Sequence, residues 1–164
     1  MKLRYSFIST GKSKKNKTKE VVNVNEILPL GRKLFEEVDK PTGSKVVFED
    51  KDRGIIERES TWTADIKGCN SFPSGIANGS GRSYVHNNGS ITISHWEGIF
   101  DTPEKERLKF KGRDVNKNGK FVVLRTFFTN SEALGWINGL VCILSGEFDT
   151  SIGIFKSTGY ELVL

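Results

Sequence analysis

The stretch Asn116-Lys117-Asn118-Gly119-Lys120 decides the fold, because it joins two strand-like segments with a very short turn. Asn-Gly favours the two-residue type I′ turn, in which both central residues take a positive φ, and this turn is typical of β-hairpins. A second Asn-Gly pair lies in His86-Asn87-Asn88-Gly89-Ser90. The two turns therefore predict two hairpins, whose strands cover residues 82–86, 90–97, 107–115 and 120–129.

These hairpins belong to a longer series of strand-like segments, at least six in number, that runs over residues 78–164. The turn Asp101-Thr102-Pro103-Glu104 separates the hairpins, and its proline cannot continue a central strand. Residues 55–67 alternate strictly, with Trp62 on the more apolar face. We predict an all-β protein, a single up-and-down antiparallel β-barrel of about eight strands that forms one domain over residues 1–164.

One helix and two loops are predicted to interrupt the strands. Leu30, Leu34 and Val38 recur every four residues after Pro29, which predicts a short helix over about 28–38 that plugs or covers one opening of the barrel. Residues 68–81 contain four glycines and a proline, which predicts a flexible loop at one rim. Residues 11–19 contain five lysines and are predicted to be a solvated basic loop.

The net charge of +5 is concentrated at the start of the chain, where residues 1–20 hold seven basic residues and one acidic residue. Nucleic-acid-binding surfaces interleave basic and aromatic residues, and the 11–19 loop has no aromatic residue, so we expect no nucleic-acid binding. Contact of this loop with phosphate or with an acidic partner is the alternative. No stretch is apolar enough for a membrane span. Cys69 and Cys142 are interpreted as reduced thiols, and we predict a cytoplasmic protein.

The last third of the chain carries a family resemblance. The segment Ser145-Gly146-Glu147-Phe148-Asp149, followed by Thr158-Gly159-Tyr160, resembles the glycine-rich closing strands of small calycin-like barrels related to the allene oxide cyclases. The resemblance extends over about residues 75–164. It implies an eight-stranded barrel with an apolar cavity, and it carries no catalytic residue over, because no cyclase site matches here.

Candidate site residues are polar or aromatic side chains whose strand phase points towards the lumen. Trp62, His95, Glu97 and Arg125 are predicted to face inwards. Across the first hairpin, Arg82, Tyr84 and His86 could join His95 and Glu97 in an acid/base cluster, although structural histidines are the alternative interpretation. Neither histidine has the sequence spacing of a metal ligand, so we expect no metal and no cofactor.

Arg125 is a charge on an otherwise apolar strand face, between Val123 and Phe127. A buried guanidinium needs a counter-charge, so it either forms an ion pair with Glu97, Asp114 or Glu147, or anchors an anionic ligand.

These patterns predict that a small, largely apolar or amphipathic ligand binds in or at the mouth of the barrel. The first alternative is a cofactor-free isomerase or cyclase that acts in the cavity, and the second is an interaction module that uses the 11–19 loop. Residues 120–129 are apolar on both faces, which indicates either a cover on the outer side or contacts in a homo-oligomer.

Overall fold

A computed structural model describes residues 29–86 and 89–163. Eight antiparallel strands form a closed ring, in which consecutive strands pair and the last strand pairs with the first. The predicted up-and-down β-barrel is confirmed. The strands are β1 (Leu30–Asp50), β2 (Ile55–Gly68), β3 (Gly75–His86), β4 (Ile91–Asp101), β5 (Arg107–Lys117), β6 (Lys120–Thr129), β7 (Val141–Asp149) and β8 (Ile154–Leu162).

The second Asn-Gly turn has the predicted conformation. Lys117 pairs with Lys120, and between them Asn118 and Gly119 have φ values of 53° and 78°. Two consecutive positive φ values are the requirement of the type I′ turn. The two-residue turn predicted at the first Asn-Gly pair is wrong, because His86 pairs with Ile91 and four residues therefore join β3 to β4. Of these, Gly89 has a φ of 93°, while residues 87 and 88 lie outside the described residues.

The helix predicted over about 28–38 is wrong, because the described part of that segment lies at the start of β1. The spacing of Leu30, Leu34 and Val38 does not distinguish a helix from a strand, since residues four apart are in phase in a regular strand as well. In β1 the register shifts between Leu30 and Phe35, so that Leu34 is buried while Leu30 is 39% exposed. The one complete helical element in the described residues is the 3₁₀ turn Gly135–Ile137. No helix in this part of the chain is long and apolar enough to cross a membrane.

The loop predicted over 68–81 is wrong for residues 75–81, which belong to β3. The remaining connection from β2 to β3 carries Phe72, a buried side chain whose ring lies 4.9 Å from that of Phe35 and 5.4 Å from that of Phe127. Phe72 therefore closes one end of the barrel with a packed aromatic cluster. The 11–19 loop lies outside the described residues.

The outer face of β6 is not covered. Val122, Leu124 and Phe128 are 47%, 49% and 43% exposed, so the prediction of an outer cover over this strand is wrong for the described chain. Beyond Asp39, β1 pairs only with β2, because its pairing with β8 ends there. The ring of strands is therefore complete around the Phe72 end and has a free edge at the opposite end.

Candidate functional site

The end of the lumen opposite Phe72 contains a cavity of about 500 Å³. It lies on the side of the turns that join β1 to β2 and β5 to β6, and it reaches the rim at Gly43 and Ser44, which are exposed. Aromatic rings line much of its wall: Trp62, Trp96, Phe121, Phe148 and Phe155. Polar and charged groups also face it: Asp39, Arg58, Ser83, Ser94, Asp114, Asn116 and Arg125. The cavity thus combines an apolar wall with a few convergent polar groups.

Glycines in β3 make room for the two indole rings. A Cβ atom at Gly79 would overlap the Trp62 ring, and one at Gly81 would overlap the Trp96 ring. The two indoles meet edge to face, with ring centroids 6.5 Å apart. From the sequence, the glycines of β3 predict a flexible loop. In the structure they lie in a strand, because aromatic rings pack directly on its backbone at these positions.

Arg125 faces the lumen, as predicted, and its partner is Glu37 on β1. Arg125 Nη2 donates a hydrogen bond of 2.9 Å to Glu37 Oε1, and Nη1 donates one to Oε2. The Arg125 and Glu37 side chains are 5% and 0% exposed. Burial acts to lower the pKa of Arg125, but the adjacent Glu37 carboxylate outweighs it and raises the pKa above its usual value. The pairing with Glu97, Asp114 or Glu147 expected from the sequence is therefore wrong.

Asp39 follows Glu37 on the inner face of β1. Its Oδ1 is buried and has no hydrogen-bond partner among the described residues. Burial and the neighbouring Glu37 carboxylate raise the pKa of Asp39 to about 9. A carboxyl group in this environment holds a proton at neutral pH, because its charged form is neither solvated nor paired with its own cation.

Asp114 faces the same cavity from β5. Trp96 Nε1 donates a hydrogen bond of 2.7 Å to Asp114 Oδ1. Burial raises the pKa of Asp114, while hydrogen bonds from Trp96 and Ser94 act in the opposite direction. Asp114 thus has hydrogen-bond donors beside its carboxyl group, whereas Asp39 lies beside a second acid, Glu37.

His95 and Glu97 do not face the lumen, so their predicted placement is wrong. Both are exposed on the outer face of β4, where Glu97 lies 3.8 Å from Lys111. The apolar residues Ile91 and Ile93 suggested that this face points inwards. The inner face instead carries Thr92, Ser94 and Trp96, because the open half of the lumen is lined by polar groups as well as rings.

Tyr84 and His86 also project from the outer side of the barrel. Tyr84 is exposed and its ring lies 6.2 Å from that of His95, while His86 is half-buried at the end of β3. His95 and Glu97 line a shallow outer depression of about 990 Å³ together with Arg82, which forms ion pairs with Glu57 and Glu59. The structure therefore brings Tyr84 and His95 together, but on a solvated surface away from the lumen.

Sequence reasoning missed Glu37 and Asp39 as site residues and named Asp114 only as a partner for Arg125. The signal for Asp114 was present, since it is in phase with Leu108, Phe110 and Gly112. Glu37 lies in the segment predicted as a helix and Asp39 directly follows it, so their shared strand face with Phe35 was not considered.

No protein-family model matches the chain, and no curated protein matches it in sequence. Solved structures do resemble it. A β-barrel-like protein from Acinetobacter baumannii has a TM-score of 0.68 and 16% identity, over 82% of this chain and 95% of that one. A protein of unknown function from Clostridium acetobutylicum has a TM-score of 0.63 and 11% identity, over 80% and 98%.

An enzyme from Penicillium herquei has a TM-score of 0.58 and 16% identity, over 79% of this chain and 92% of that one. At identities this low, a structural likeness extends to the fold and not to the chemistry. The comparisons therefore show that this chain is similar in fold to these proteins, one of which is described as β-barrel-like.

Proposed function

We propose that the protein binds a small, largely apolar ligand inside the open half of the barrel. The cavity of about 500 Å³ carries this proposal. Its volume falls in the range of about 300–1,000 Å³ that is usual for small-molecule sites, which are mainly apolar with a few polar groups that fix the orientation of the ligand. Here Trp62 and Trp96 would pack against the body of the ligand, and Asp39, Arg58 and Asp114 would contact its polar groups.

The same cavity is the place for the alternative function, a cofactor-free isomerase or cyclase. The two lumen carboxyl groups, Asp39 and Asp114, favour this alternative, since carboxyl groups in contrasting environments can divide acid and base roles. One structural neighbour is an enzyme, so the fold is compatible with catalysis. The resemblance to calycin-like barrels related to the allene oxide cyclases supports a ligand cavity and names no substrate.

A matched pair of leucine substitutions tests the lumen as the ligand site. Ser83→Leu would fill part of the cavity, because Ser83 is buried and lines it. Ser80→Leu adds the same side chain to the exposed outer face of β3. Native mass spectrometry of protein purified from its own cells should detect a retained small molecule in the wild type and in Ser80→Leu, and none in Ser83→Leu. Equal retention in both variants would place the ligand elsewhere.

Location and assembly complete the proposal. We propose a cytoplasmic protein, in keeping with the two cysteines, Cys69 and Cys142, which are both free thiols. A homo-oligomer would use the outer face of β6, where Val122 and Leu124 are about half exposed. An interaction through the 11–19 loop stays a prediction from the sequence.

A further inference from the structure

Asp39 and Asp114 face each other across the lumen. They lie on β1 and β5, which are four strands apart in either direction around the ring of eight, and both line the same cavity. A molecule held in the cavity against the indole rings of Trp62 and Trp96 would therefore have a carboxyl group on each side. This placement is independent of the charge state of either group.

Asp39 is a carboxyl group without a cation of its own. Arg125 on β6 is the nearest positive charge, and both oxygens of Glu37 already accept hydrogen bonds from it. Cys142 on β7 is the other titratable group beside this pair, and burial raises its pKa to about 12, so it contributes no charge at neutral pH. Oδ1 of Asp39 has no hydrogen-bond partner among the described residues. Because burial of an unpaired charge is costly, the buried Asp39 carboxyl is more stable with a proton than without one. Asp39 thus offers a neutral acid to the cavity.

The Asp114 carboxyl group has different neighbours from that of Asp39. Its Oδ1 accepts the hydrogen bond from Trp96, which favours the carboxylate form, while partial burial makes this carboxylate a stronger base than an exposed one. Arg58 on β2, the other charged group that lines the cavity, has no carboxylate within ion-pair distance among the described residues. Two carboxyl groups on opposite sides of one cavity, of which one accepts hydrogen bonds and the other lies beside a second acid, are suited to act as base and acid.

We propose that the lumen catalyses a proton shift in a neutral ketone, in which Asp114 removes a proton beside the carbonyl group and Asp39 donates a hydrogen bond to the carbonyl oxygen. The C–H bond breaks, its electron pair forms the carbon–carbon double bond of the enolate, and the carbonyl π electrons move to the oxygen. Asp114 then returns the proton to the same carbon or, in an unsaturated ketone, to the carbon two positions along the chain. Substrate and product are isomers, so no co-reactant is consumed. This inference rests on the proposed ligand site in the lumen.

The test uses 2-tetralone, a compact bicyclic ketone with acidic protons beside its carbonyl group. Its binding is followed by quenching of Trp62 and Trp96 fluorescence in a Trp136→Phe background, and its chemistry by proton NMR in deuterated water. Because the cavity reaches the rim, a proton on Asp114 can exchange with solvent, and the protein should accelerate deuterium incorporation beside the carbonyl group over the rate in buffer.

Three variants assign the roles. Asp114→Asn should lower the exchange rate about 100-fold or more, because the base is lost. Asp39→Leu should lower it about 100-fold, whereas Asp39→Asn should retain most of the rate, because the amide still donates a hydrogen bond. Asp65→Asn, a change at an exposed position on the outer face of β2, is the control and should leave the rate unchanged.

The outcomes separate this inference from the ligand site on which it rests. Quenching without accelerated exchange would overturn the proton shift and leave the ligand site in place. If 2-tetralone causes neither quenching nor accelerated exchange, both the ligand site and the proton shift are overturned. Equal loss in Asp39→Asn and Asp39→Leu would refute the role of Asp39 as a hydrogen-bond donor, and a full rate in Asp114→Asn would refute the role of Asp114 as the base.

Discussion

Replacing Arg125 with leucine removes the cation that keeps Glu37 in the lumen. Both carboxylate oxygens of Glu37 accept hydrogen bonds from Arg125, and the Glu37 side chain has no exposed area. Arg125→Leu therefore leaves a buried carboxylate without its partner, a change that costs about 3–5 kcal/mol in the free energy of unfolding. The guanidinium carbon also lies 4.8 Å from the ring centroid of Phe110, and this contact is lost as well. We expect a loss of about 3 kcal/mol or more at pH 7.

The double variant Glu37→Leu/Arg125→Leu provides the decisive comparison. It removes both charges and replaces them with apolar side chains, and such replacements of a whole buried ion pair are often neutral or stabilising. The double variant should therefore be more stable than Arg125→Leu alone, although it carries one more substitution.

Urea unfolding followed by tryptophan fluorescence gives the free energies for this cycle. A loss below about 1 kcal/mol in Arg125→Leu would mean that the guanidinium is solvated, as in an exposed ion pair. Additive losses in the double variant would show that Glu37 and Arg125 act independently. Either result would refute the buried pair as the element that holds β1 to β6 across the lumen.

Two further predictions concern Asp39 and Phe72. The pKa of Asp39 is raised in the folded protein, so its protonated form contributes stability at low pH that is lost as the pH rises. Relative to Asp39→Asn, the wild type should lose about 1.4 kcal/mol of unfolding free energy per pH unit between about pH 5 and 8. Urea unfolding at several pH values measures this slope, and parallel profiles would contradict it. Phe72→Ala should cost about 3–5 kcal/mol, because it empties the packed end of the barrel. The control Ile76→Ala, at a 45% exposed position, should cost much less in a thermal melt.

The order of strands was predictable because its signals are local. The Asn118-Gly119 turn requires positive φ values that few residue pairs adopt. Pro103 ends the pairing between β4 and β5, and this effect does not depend on tertiary contacts. The inward phase of Arg125 followed from its neighbours Val123 and Phe127 for the same local reason. Strand identity near such signals therefore follows from the sequence alone.

The first strand of the barrel and its charged interior were not predictable in this way. Leu30, Leu34 and Val38 fit a helix and a strand equally, and only pairing with β8, more than a hundred residues away, decides for the strand. Glu37 is likewise 88 residues from Arg125. The phase of β4 was misassigned because the rule that apolar residues point inwards fails where the interior is a polar cavity, so that Ser94 faces the lumen and Ile93 faces solvent.

The aromatic closure around Phe72 has a kinetic consequence. A barrel that is closed at one end has a single opening, so a ligand must enter and leave through it, near Gly43 and Ser44. One molecule must therefore leave before the next one can bind, because binding and release use the same route. Substitutions at this rim should therefore change the association and dissociation rates together, while the equilibrium affinity, which is set by the walls deeper inside, changes little.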